Sequence, residues 1–347
     1  MTGSRYRRRV VTVRRIDPAG LDMDRWHACY LAGHVVDDPD EPEWLLPELR
    51  ARAVTQLDER YELYVAEDSR NDVVGALSCA VPVHDNRHMM IIEHLSVLPQ
   101  RRRGGIGTRL LAQAARVAAH HARSTMLTEA LAPGSADHDV AADHAARAWG
   151  FALASRDQRR TLAVPLAEEV TGRVRAAIGR RADAYDVVTW SGPAPAEYLQ
   201  DRALIQQRMS TDTPLGDIDW RAESWDAARF RRLEQSIAAM GRHSWTAGAV
   251  QRSTGRLVAA TWLLGHPDHP HQAWQWDTLV LPEHRGHRLG LRVKLANLDY
   301  IQRERPATRL VSTSNAADNA PMIAVNEALG FELSGHWREY QRREVTR

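Results

Sequence analysis

The fold of this chain is decided by one stretch of its sequence, Val97-Leu98-Pro99-Gln100-Arg101-Arg102-Arg103-Gly104-Gly105-Ile106-Gly107-Thr108-Arg109-Leu110-Leu111. The residues before it, from Met89 to Leu98, are mostly Met, Ile, Leu and Val, which is typical of a β-strand. After the glycines, apolar residues recur at helical spacing. They are Leu110, Leu111, Ala114, Ala115, Val117 and Ala118. The stretch therefore predicts a strand, a glycine-rich turn and a helix.

Such a turn is suited to binding an anion. It directs several backbone N–H groups at one point, and the N-terminus of the following helix adds a positive partial charge. Gly104, Gly105 and Gly107 lack the Cβ atoms that would hold a phosphate at a distance. The stretch has no Gly-Lys-Ser/Thr of a Walker loop, and Leu110 stands where a dinucleotide fingerprint needs its third glycine. An ordinary βα turn without a ligand is the alternative.

The same order of features recurs further along the chain. Val280-Leu281-Pro282-Glu283-His284-Arg285-Gly286-His287-Arg288-Leu289-Gly290 begins 183 residues after Val97, follows an apolar strand and opens a helix. Each copy is then followed by a strand, a second helix and a Gly-Phe step, at Gly150-Phe151 and Gly330-Phe331. A glycine before a strand is a common signal for the end of a helix. The chain is therefore predicted to contain a tandem repeat.

The pattern Arg102-x-x-Gly105-x-Gly107 behind a strand resembles the pyrophosphate loop of the GNAT family of acetyl-CoA-dependent N-acetyltransferases. The repeat extends this resemblance over nearly the whole chain. It implies an α/β fold with a mixed sheet in each of two tandem GNAT-like domains, at residues 1–165 and 185–347, with a linker helix at 166–184. It also implies a splay between the strands Met89 to Leu98 and Thr125 to Thr128, where the cofactor would enter.

The resemblance implies acetyl-CoA as co-substrate. Its pantetheine arm would lie along the loop strand, its thioester carbonyl would accept from a backbone N–H there, and its pyrophosphate would lie on the loop. In the first half the implied cofactor-binding residues are Leu95, Val97, Arg102, Arg103, Gly104, Gly105, Ile106, Gly107 and Thr108. In the second half they are Val280, Arg285, Gly286, His287, Arg288, Leu289, Gly290 and Asn319.

The two copies depart from the family pattern in different ways. Many GNAT enzymes carry a tyrosine that protonates the leaving thiolate, and the first half has Ala146 there, with Asp139 at the position of a cofactor-contacting asparagine. The second half keeps that asparagine as Asn319 but has Asn326 in place of the tyrosine. Arg288 replaces the first glycine of its loop, which predicts tighter cofactor binding by the first half.

Glu93 and Asp277, both on loop strands, are the candidate catalytic bases, since a carboxylate there could accept the proton of an amine. A salt bridge or a solvent-facing strand end is the alternative for each. If the protein is an enzyme, the retained Asn319 favours the second half, with Asp277 as base. Trp262, Trp274 and Trp276 could line an acceptor pocket or pack in the core. His266-Pro-Asp-His-Pro-His271 is predicted to be a solvated loop rather than a metal site.

Composition narrows the classes of function. A net charge of +2 gives no electrostatic reason to expect a nucleic acid or a membrane as partner. Cys29 and Cys79 are too few for a disulfide framework, and their apolar neighbours predict buried thiols in a reducing cytoplasm. The sequence contains no apolar run of 18 residues and no apolar segment typical of a signal peptide. A cytoplasmic protein is expected, as a monomer whose halves form a pseudo-dimer or as a homodimer.

These observations predict an acetyl-CoA-dependent N-acetyltransferase that acetylates an amine, most readily of a small molecule, with one of the two domains catalytic. One alternative is a non-catalytic sensor or scaffold that binds acetyl-CoA, which the two absent tyrosines favour. Another is an enzyme that acetylates a protein N-terminus or a lysine. The resemblance implies that the acceptor is set by the first two helices of each half and the loop between them, at Leu21 to Glu59 and Pro195 to Gly241, and these segments carry no readable motif.

Overall fold

A computed structural model of the chain describes residues 11–56, 58–134 and 140–343. The chain divides into two compact units. Unit 1 contains the chain up to residue 129, residues 141–152 and the end of the chain from residue 340, and unit 2 contains residues 130–140 and 153–339. Both units have a mixed α/β architecture, which confirms the predicted fold class.

Unit 1 has the strand order β1-β2-β3-β4-β5. The pairing is antiparallel from β1 to β4 and parallel between β4 and β5. The first five residues of β5 belong to this unit. The elements are β1 (Thr12–Ile16), α1 (Asp22–Asp37), α2 (Leu46–Thr55), β2 (Glu59–Glu67), β3 (Val73–Pro82), β4 (Met89–Val97), α3 (Ile106–His120), β5 (Thr125–Pro133) and α4 (Ala141–Ala148).

Unit 2 repeats this arrangement with two further strands, in the order β12-β6-β11-β10-β9-β8-β7. Its β7 to β10 are antiparallel, β10 and β11 are parallel, and β11 and β6 are antiparallel. The elements are β6 (Ala152–Ala163), α5 (Glu168–Ile178), β7 (Tyr185–Ser191), α6 (Ala196–Asp212), α7 (Ala227–Ala239), β8 (His243–Gln251), β9 (Leu257–Gly265), β10 (Gln272–Val280), α8 (Leu289–Glu304), β11 (Leu310–Ala316), α9 (Ala320–Leu329) and β12 (Glu332–Arg343).

The elements form where local chemistry favours them. The side chain of Asp226 accepts a hydrogen bond from the backbone N–H of Arg229 and so caps the N-terminus of α7. Helix α9 ends at Leu329 because Gly330 adopts a φ of +93°, a left-handed conformation that favours glycine. The Gly-Phe step in unit 2 is therefore a helix end followed by a strand, as predicted from the sequence.

The end of the first repeat differs from the sequence expectation. The sequence predicts two short strands, near Ala152 to Ala154 and Arg160 to Val164, whereas β6 is one continuous strand of 12 residues. It pairs along residues 157–163 with β11 and so lies in the sheet of unit 2. The domain limits at residues 165 and 185, which follow from the repeat in the sequence, stay a prediction.

Each unit has its own core. In unit 1, α1 and α2 bury Met23, Trp26 and Leu49 against the sheet, and the indole N–H of Trp26 donates to the carbonyl of Leu77 at 3.0 Å. In unit 2, α8 packs on β8 and β9, and α5 contributes Val174 and Ile178 to the same core. Among the described residues, no helix is both long enough and apolar enough to cross a membrane.

Gly75 on β3 provides a stability prediction, because its missing side chain lets α3 pack closely on the sheet. A Cβ atom there would lie 3.0 Å from side-chain atoms of both Ile106 and Leu110. We expect Gly75→Val to lower the free energy of unfolding by about 1–3 kcal/mol through overpacking. Urea denaturation followed by circular dichroism measures the change.

Gly172 is the matched control, since it lies exposed in α5 and no heavy atom of the described residues would come within 4 Å of an added Cβ. Gly172→Ala should raise the free energy of unfolding by about 0.5–1 kcal/mol through higher helix propensity. A Gly75→Val protein as stable as the wild type would contradict the close packing of α3.

Candidate functional site

The two glycine-rich loops have the same backbone course. In unit 1 a short 3₁₀ turn at Pro99–Arg101 follows β4, and Gly105 is the N-cap residue of α3. In unit 2 the turn at Pro282–His284 follows β10, and Arg288 is the N-cap residue of α8. No side chain of the described ranges caps either helix. Each helix therefore presents uncapped N–H groups with a positive partial charge, which suits an anion.

Arg288 does not disturb the loop of unit 2. Each loop has two residues with positive φ, and each places one glycine and one arginine at them. In unit 1 these are Arg103 at +62° and Gly105 at +81°, and in unit 2 they are Gly286 at +84° and Arg288 at +59°. A side chain in this conformation costs roughly 1–2 kcal/mol, so neither loop is more strained than the other. Arg103 and Arg288 are exposed, and each can direct its charge toward a bound phosphate.

The first arginine of each loop fixes the loop to a helix. In unit 1, Arg102 donates through Nε to the carbonyl of Val97 and through both Nη atoms to the carboxylate of Asp37, at 2.8 Å each. In unit 2, Arg285 donates to the carbonyl of Val280 and, at 2.7 Å, to Asp212. Asp37 and Asp212 are the last residues of α1 and α6. Both arginines thus have a carboxylate partner in this structure, and their predicted contact with a phosphate stays a prediction.

The remaining predicted loop residues differ in accessibility. Ile106 and Leu289 are 4% and 1% exposed, so their side chains belong to the core and only their backbone can face a ligand. A Cβ atom on Gly107 would lie 3.1 Å from the ring of Trp149, whereas one on Gly290 would meet only Val280, at 3.7 Å. The space beside the helix N-terminus is therefore more open in unit 2. The exposed predicted residues are Gly104, Gly105, Thr108, Gly286 and His287.

The predicted splay is present beside each loop strand. Parallel pairing of β4 with β5 extends from Met89 to Ile92 and stops there, before Leu95 and Val97. Pairing of β10 with β11 covers only Gln272 to Trp274, although both strands continue. The hydroxyl of Thr128 donates to the carbonyl of Ile92 at 3.0 Å, and that of Thr313 to Gln275 at 3.5 Å. A threonine thus marks the end of pairing in both units.

The candidate carboxylates lie where the loop strand shifts register against its antiparallel neighbour, β3 in unit 1 and β9 in unit 2. The register of β4 against β3 shifts between Ile92 and His94, which leaves Glu93 as the extra residue. The register of β10 against β9 shifts between Gln275 and Thr278, around Trp276 and Asp277. These are β-bulges, which re-aim side chains and are frequent next to active sites. The repeat spacing aligns Asp277 with His94 and not with Glu93, so the two carboxylates are not equivalent.

Glu93 is engaged within unit 1. Its Oε1 atom lies 2.7 Å from Nη2 of Arg52, and the hydroxyl of Tyr61 is 3.4 Å away. Burial raises the pKa of Glu93, and the adjacent Arg52 opposes that rise. Together with Trp26 and Ser78, these side chains line a small pocket. The salt bridge that sequence analysis left as an alternative is therefore present.

Asp277 is not paired in this way. Its Oδ2 atom is buried and has no hydrogen-bond partner among the described residues. Burial raises the pKa of Asp277 to about 6, and the charge of Arg202 is the largest influence that opposes the rise. Gln206 and Trp262 also favour the charged form, because their side chains can donate toward the carboxylate, although neither does so with full hydrogen-bond geometry to Oδ2. The sequence indicated Asp277 and Trp262, but no local signal indicated Arg202 or Gln206 on α6.

Comparison with known proteins agrees with this geometry. Residues 23–151 match the model of the Acetyltransferase (GNAT) family. The chain is similar to a tandem GNAT protein from the clavulanic acid biosynthesis pathway, solved without acetyl-CoA, with 28% identity, a TM-score of 0.79 and coverage of 97% of this chain and 100% of that one. The chain has the tandem GNAT architecture. No curated protein sequence matches it.

A second solved structure supports the fold. A GCN5-related N-acetyltransferase from Sphaerobacter thermophilus is 15% identical, with a TM-score of 0.64 and coverage of 97% of this chain and 98% of that one. The GNAT fold is that of an acyltransferase, and in this chain both copies keep its loop and its splay.

The last-helix residues of the second GNAT copy have structural partners. Asn319 is the N-cap residue of α9, and its side chain accepts from the backbone N–H of Met322 at 3.3 Å. Asn326, at the position of the family tyrosine, is fully buried and donates to Asn315. The side-chain oxygen Oδ1 of Asn326 accepts a hydrogen bond from Nζ of Lys294 at 2.6 Å. The corresponding Ala146 of the first copy is buried, and Asp139 lies outside the described residues.

The other residues singled out from the sequence lie apart from this chemistry or beside it. Cys29 and Cys79 are buried free thiols, as predicted. Trp262 is buried and Trp276 is 39% exposed at the bulge of β10. His266 accepts from the backbone N–H of Asp268 within its loop. In the described part of the chain, no group of three or more His, Cys, Asp or Glu side chains could hold a metal ion.

Lys294 gives a pH-dependent prediction. It is the only lysine of the sequence, is 1% exposed, and burial lowers its pKa from 10.5 to about 7. Between these values the folded protein binds fewer protons at this site than the unfolded chain. The contribution of Lys294 to the free energy of unfolding should therefore rise with pH from about 7 to 10.5, by at most about 1.4 kcal/mol per pH unit.

The measurement is urea denaturation of the wild type and of Lys294→Met across this pH range. The difference in unfolding free energy, wild type minus variant, should increase with pH, because only the wild type carries the buried amine. The control is Arg303→Met on the same helix, since an arginine keeps its charge throughout this range. A difference that stays constant from pH 7 to 10 would contradict the lowered pKa of Lys294.

Proposed function

We propose that the chain is an acetyl-CoA-dependent N-acetyltransferase that acetylates a small-molecule amine, and that unit 2 carries out the reaction. The observation that carries this proposal is the unpaired carboxylate of Asp277, which lies at the bulge of the strand that borders the splay. A base must be able to accept a proton, and within the described residues Asp277 forms no ion pair, whereas Glu93 is held by Arg52. As a cytoplasmic metabolite, acetyl-CoA makes the cytoplasm the expected location.

The residues of unit 2 can hold acetyl-CoA without rearrangement. The backbone N–H groups at the start of α8, around Leu289 and Gly290, face the side from which the pyrophosphate would approach, and Arg288 adds a positive charge. The unpaired edge of β10 beyond Trp274 can accept the pantetheine arm as an additional strand. In unit 1 the ring of Trp149 lies against Gly107. This supports tighter cofactor binding by unit 2, the opposite of the ranking expected from the glycine pattern.

Acetyl transfer to an amine requires a proton to move in each direction. As the bond between the amine nitrogen and the thioester carbon forms and the carbon–sulfur bond breaks, the nitrogen loses a proton. Asp277, with a pKa of about 6, is mostly ionised at neutral pH and can accept it. The same carboxyl group can return the proton to the leaving thiolate or to water. Asn326 occupies the position of the family tyrosine that protonates the leaving thiolate. We do not assign this proton transfer to the amide of Asn326.

Replacing Asp277 tests the assignment of the base. Loss of a general base costs about 10²–10⁴ in rate. Asp277→Asn should lower kcat by that factor and leave the affinity for acetyl-CoA nearly unchanged, since the side chain faces the acceptor. In the wild type, kcat/KM should rise with pH through an apparent pKa near 6 and the variant should lose this rise. Release of free thiol from acetyl-CoA across a library of amines measures both.

Two further variants make this experiment decisive. Asp268→Asn, an exposed carboxylate in the loop before β10, is the matched control and should retain wild-type kcat. If Glu93→Gln loses activity and Asp277→Asn does not, the reaction belongs to unit 1. If the wild type binds acetyl-CoA but no amine releases thiol, the protein is a sensor or scaffold and not an enzyme.

The cofactor assignment is tested by filling each cradle. Gly290→Trp should abolish acetyl-CoA binding measured by calorimetry, because the indole would occupy the open space beside the N-terminus of α8. Gly104→Trp fills the exposed loop of unit 1 at a residue without positive φ and should leave binding unchanged. Loss of binding in the Gly104 variant alone would assign the cofactor to unit 1.

A further inference from the structure

In the described part of unit 2, four buried polar atoms that lack a hydrogen-bond partner belong to neighbouring side chains. They are Nη2 of Arg202, Oε1 of Gln206, Nε1 of Trp262 and Oδ2 of Asp277. Buried polar atoms are nearly always paired in folded proteins, and each unpaired one costs about 1–3 kcal/mol. Four of them on three different elements are unlike a local packing defect. Two are donors and two are acceptors, so the set is matched to a ligand that carries both kinds of group.

These atoms are close to one another because of how the elements pack. Arg202 and Gln206 are four residues apart on α6 and therefore share one face of the helix. Helix α6 packs on β9 and β10, which carry Trp262 and Asp277. The guanidinium of Arg202 stacks over the ring of Trp262, at 5.1 Å from its centroid. Arg202, Gln206 and Trp262 all influence the ionisation of Asp277. We refer to these four residues as the acceptor cluster.

Arg202 and Asp277, the charged members of the acceptor cluster, form no ion pair within the described residues. Arg202 is 1% exposed and rests on the rings of Phe230 and Trp262, and burial lowers its pKa only to about 10, so it stays charged at neutral pH. Within the described ranges no ion pair joins it to Asp277. The nearby Glu234 already pairs with Arg231 and accepts from the backbone N–H of Ala194. Asp277 and Glu234 act on the charge of Arg202 from a distance, but in the described ranges no carboxylate pairs directly with its Nη2.

Unit 1 contains an arginine that does pair with a carboxylate on the loop strand. There Arg52 and Glu93 lie 2.7 Å apart and satisfy each other. In unit 2 the cation and the carboxylate are both buried, and each keeps an oxygen or nitrogen without a partner. The bulge residue next to Asp277, Trp276, is 39% exposed, so this part of the strand reaches the surface.

We propose that the acceptor cluster binds an amine that also carries a carboxylate, so that the acceptor belongs to the class of amino acids. This inference rests on the proposed function, since it names the acceptor of that reaction. The carboxylate of the ligand accepts from Nη2 of Arg202 and Nε1 of Trp262. Its amino group donates to Oδ2 of Asp277 and Oε1 of Gln206. The amine is thereby held on the base that takes its proton, which is the alignment that acetyl transfer needs.

The test compares each L-amino acid with its own carboxamide, which has nearly the same shape and no negative charge. Binding to the intact protein is measured by calorimetry without acetyl-CoA, and turnover by thiol release with acetyl-CoA. A charge-assisted hydrogen bond is worth about 1.5–3 kcal/mol, so at least one acid should be preferred over its amide by about 10- to 100-fold in both measurements.

Three variants report on the acceptor cluster. Arg202→Gln should remove the preference for the acid over the amide. Trp262→Phe keeps the ring under Arg202 and removes only one N–H, so it should lower the preference by about 3- to 10-fold and serves if the Arg202 variant does not fold. Arg252→Gln is the matched control, an exposed arginine paired with Asp186 on the surface, and should keep the full preference.

The outcomes separate this inference from the proposed function. Equal use of acid and amide by the wild type, or a preference that survives both Arg202→Gln and Trp262→Phe, overturns the amino acid class. Thiol release with other amines but with no amino acid also overturns it, while the acetyltransferase proposal stands. An acid preference in binding that depends on Arg202, without thiol release, supports the acceptor cluster and overturns the enzyme.

Discussion

Pairing between β10 and β11 stops after Trp274, and the arrangement of the candidate site in unit 2 depends on that interruption. Two parallel strands that remained paired would use the N–H and carbonyl groups of their facing edges on each other. Because they separate, the far half of β10 keeps an unpaired edge directly before the loop that starts α8. The bulge on its other edge turns Asp277 out of the regular alternation of the strand. One break in a sheet thus provides an edge, an anion-binding helix end and a re-aimed carboxylate.

The same break in strand pairing occurs in unit 1, where the polar side chains beside it pair with one another. Arg52 reaches Glu93, and the Trp149 ring lies where Gly107 would otherwise be open. This salt bridge occupies Oε1 of Glu93, an oxygen that could otherwise accept a proton from a substrate. In unit 2, by contrast, Arg202, Gln206, Trp262 and Asp277 keep unpaired atoms. Leaving them unpaired destabilises the fold, and such destabilisation is typical of sites that await a ligand.

In both units, one arginine of the loop stabilises the loop by a contact with a helix. Arg102 and Arg285 join the loop to the last residue of the first helix of their unit, at Asp37 and Asp212. The helix that ends there is also the helix that lies over the loop strand. The position of that helix and the position of the loop therefore depend on each other through the contact between arginine and aspartate. The charge available to a phosphate comes instead from Arg103 and Arg288.

The sequence by itself determined the repeat, the strand–turn–helix around each loop, the helix end at Gly330 and the two carboxylates of the loop strands. These features depend on glycine, on apolar periodicity and on neighbours a few residues away, so they can be read locally. Only the tertiary structure decided which of these side chains are free. The partner of Arg102 lies 65 residues away and that of Arg285 lies 73 residues away, and Arg202 meets Asp277 only because α6 packs on β10. The same holds for β6, whose pairing with β11 depends on residues that no local pattern connects.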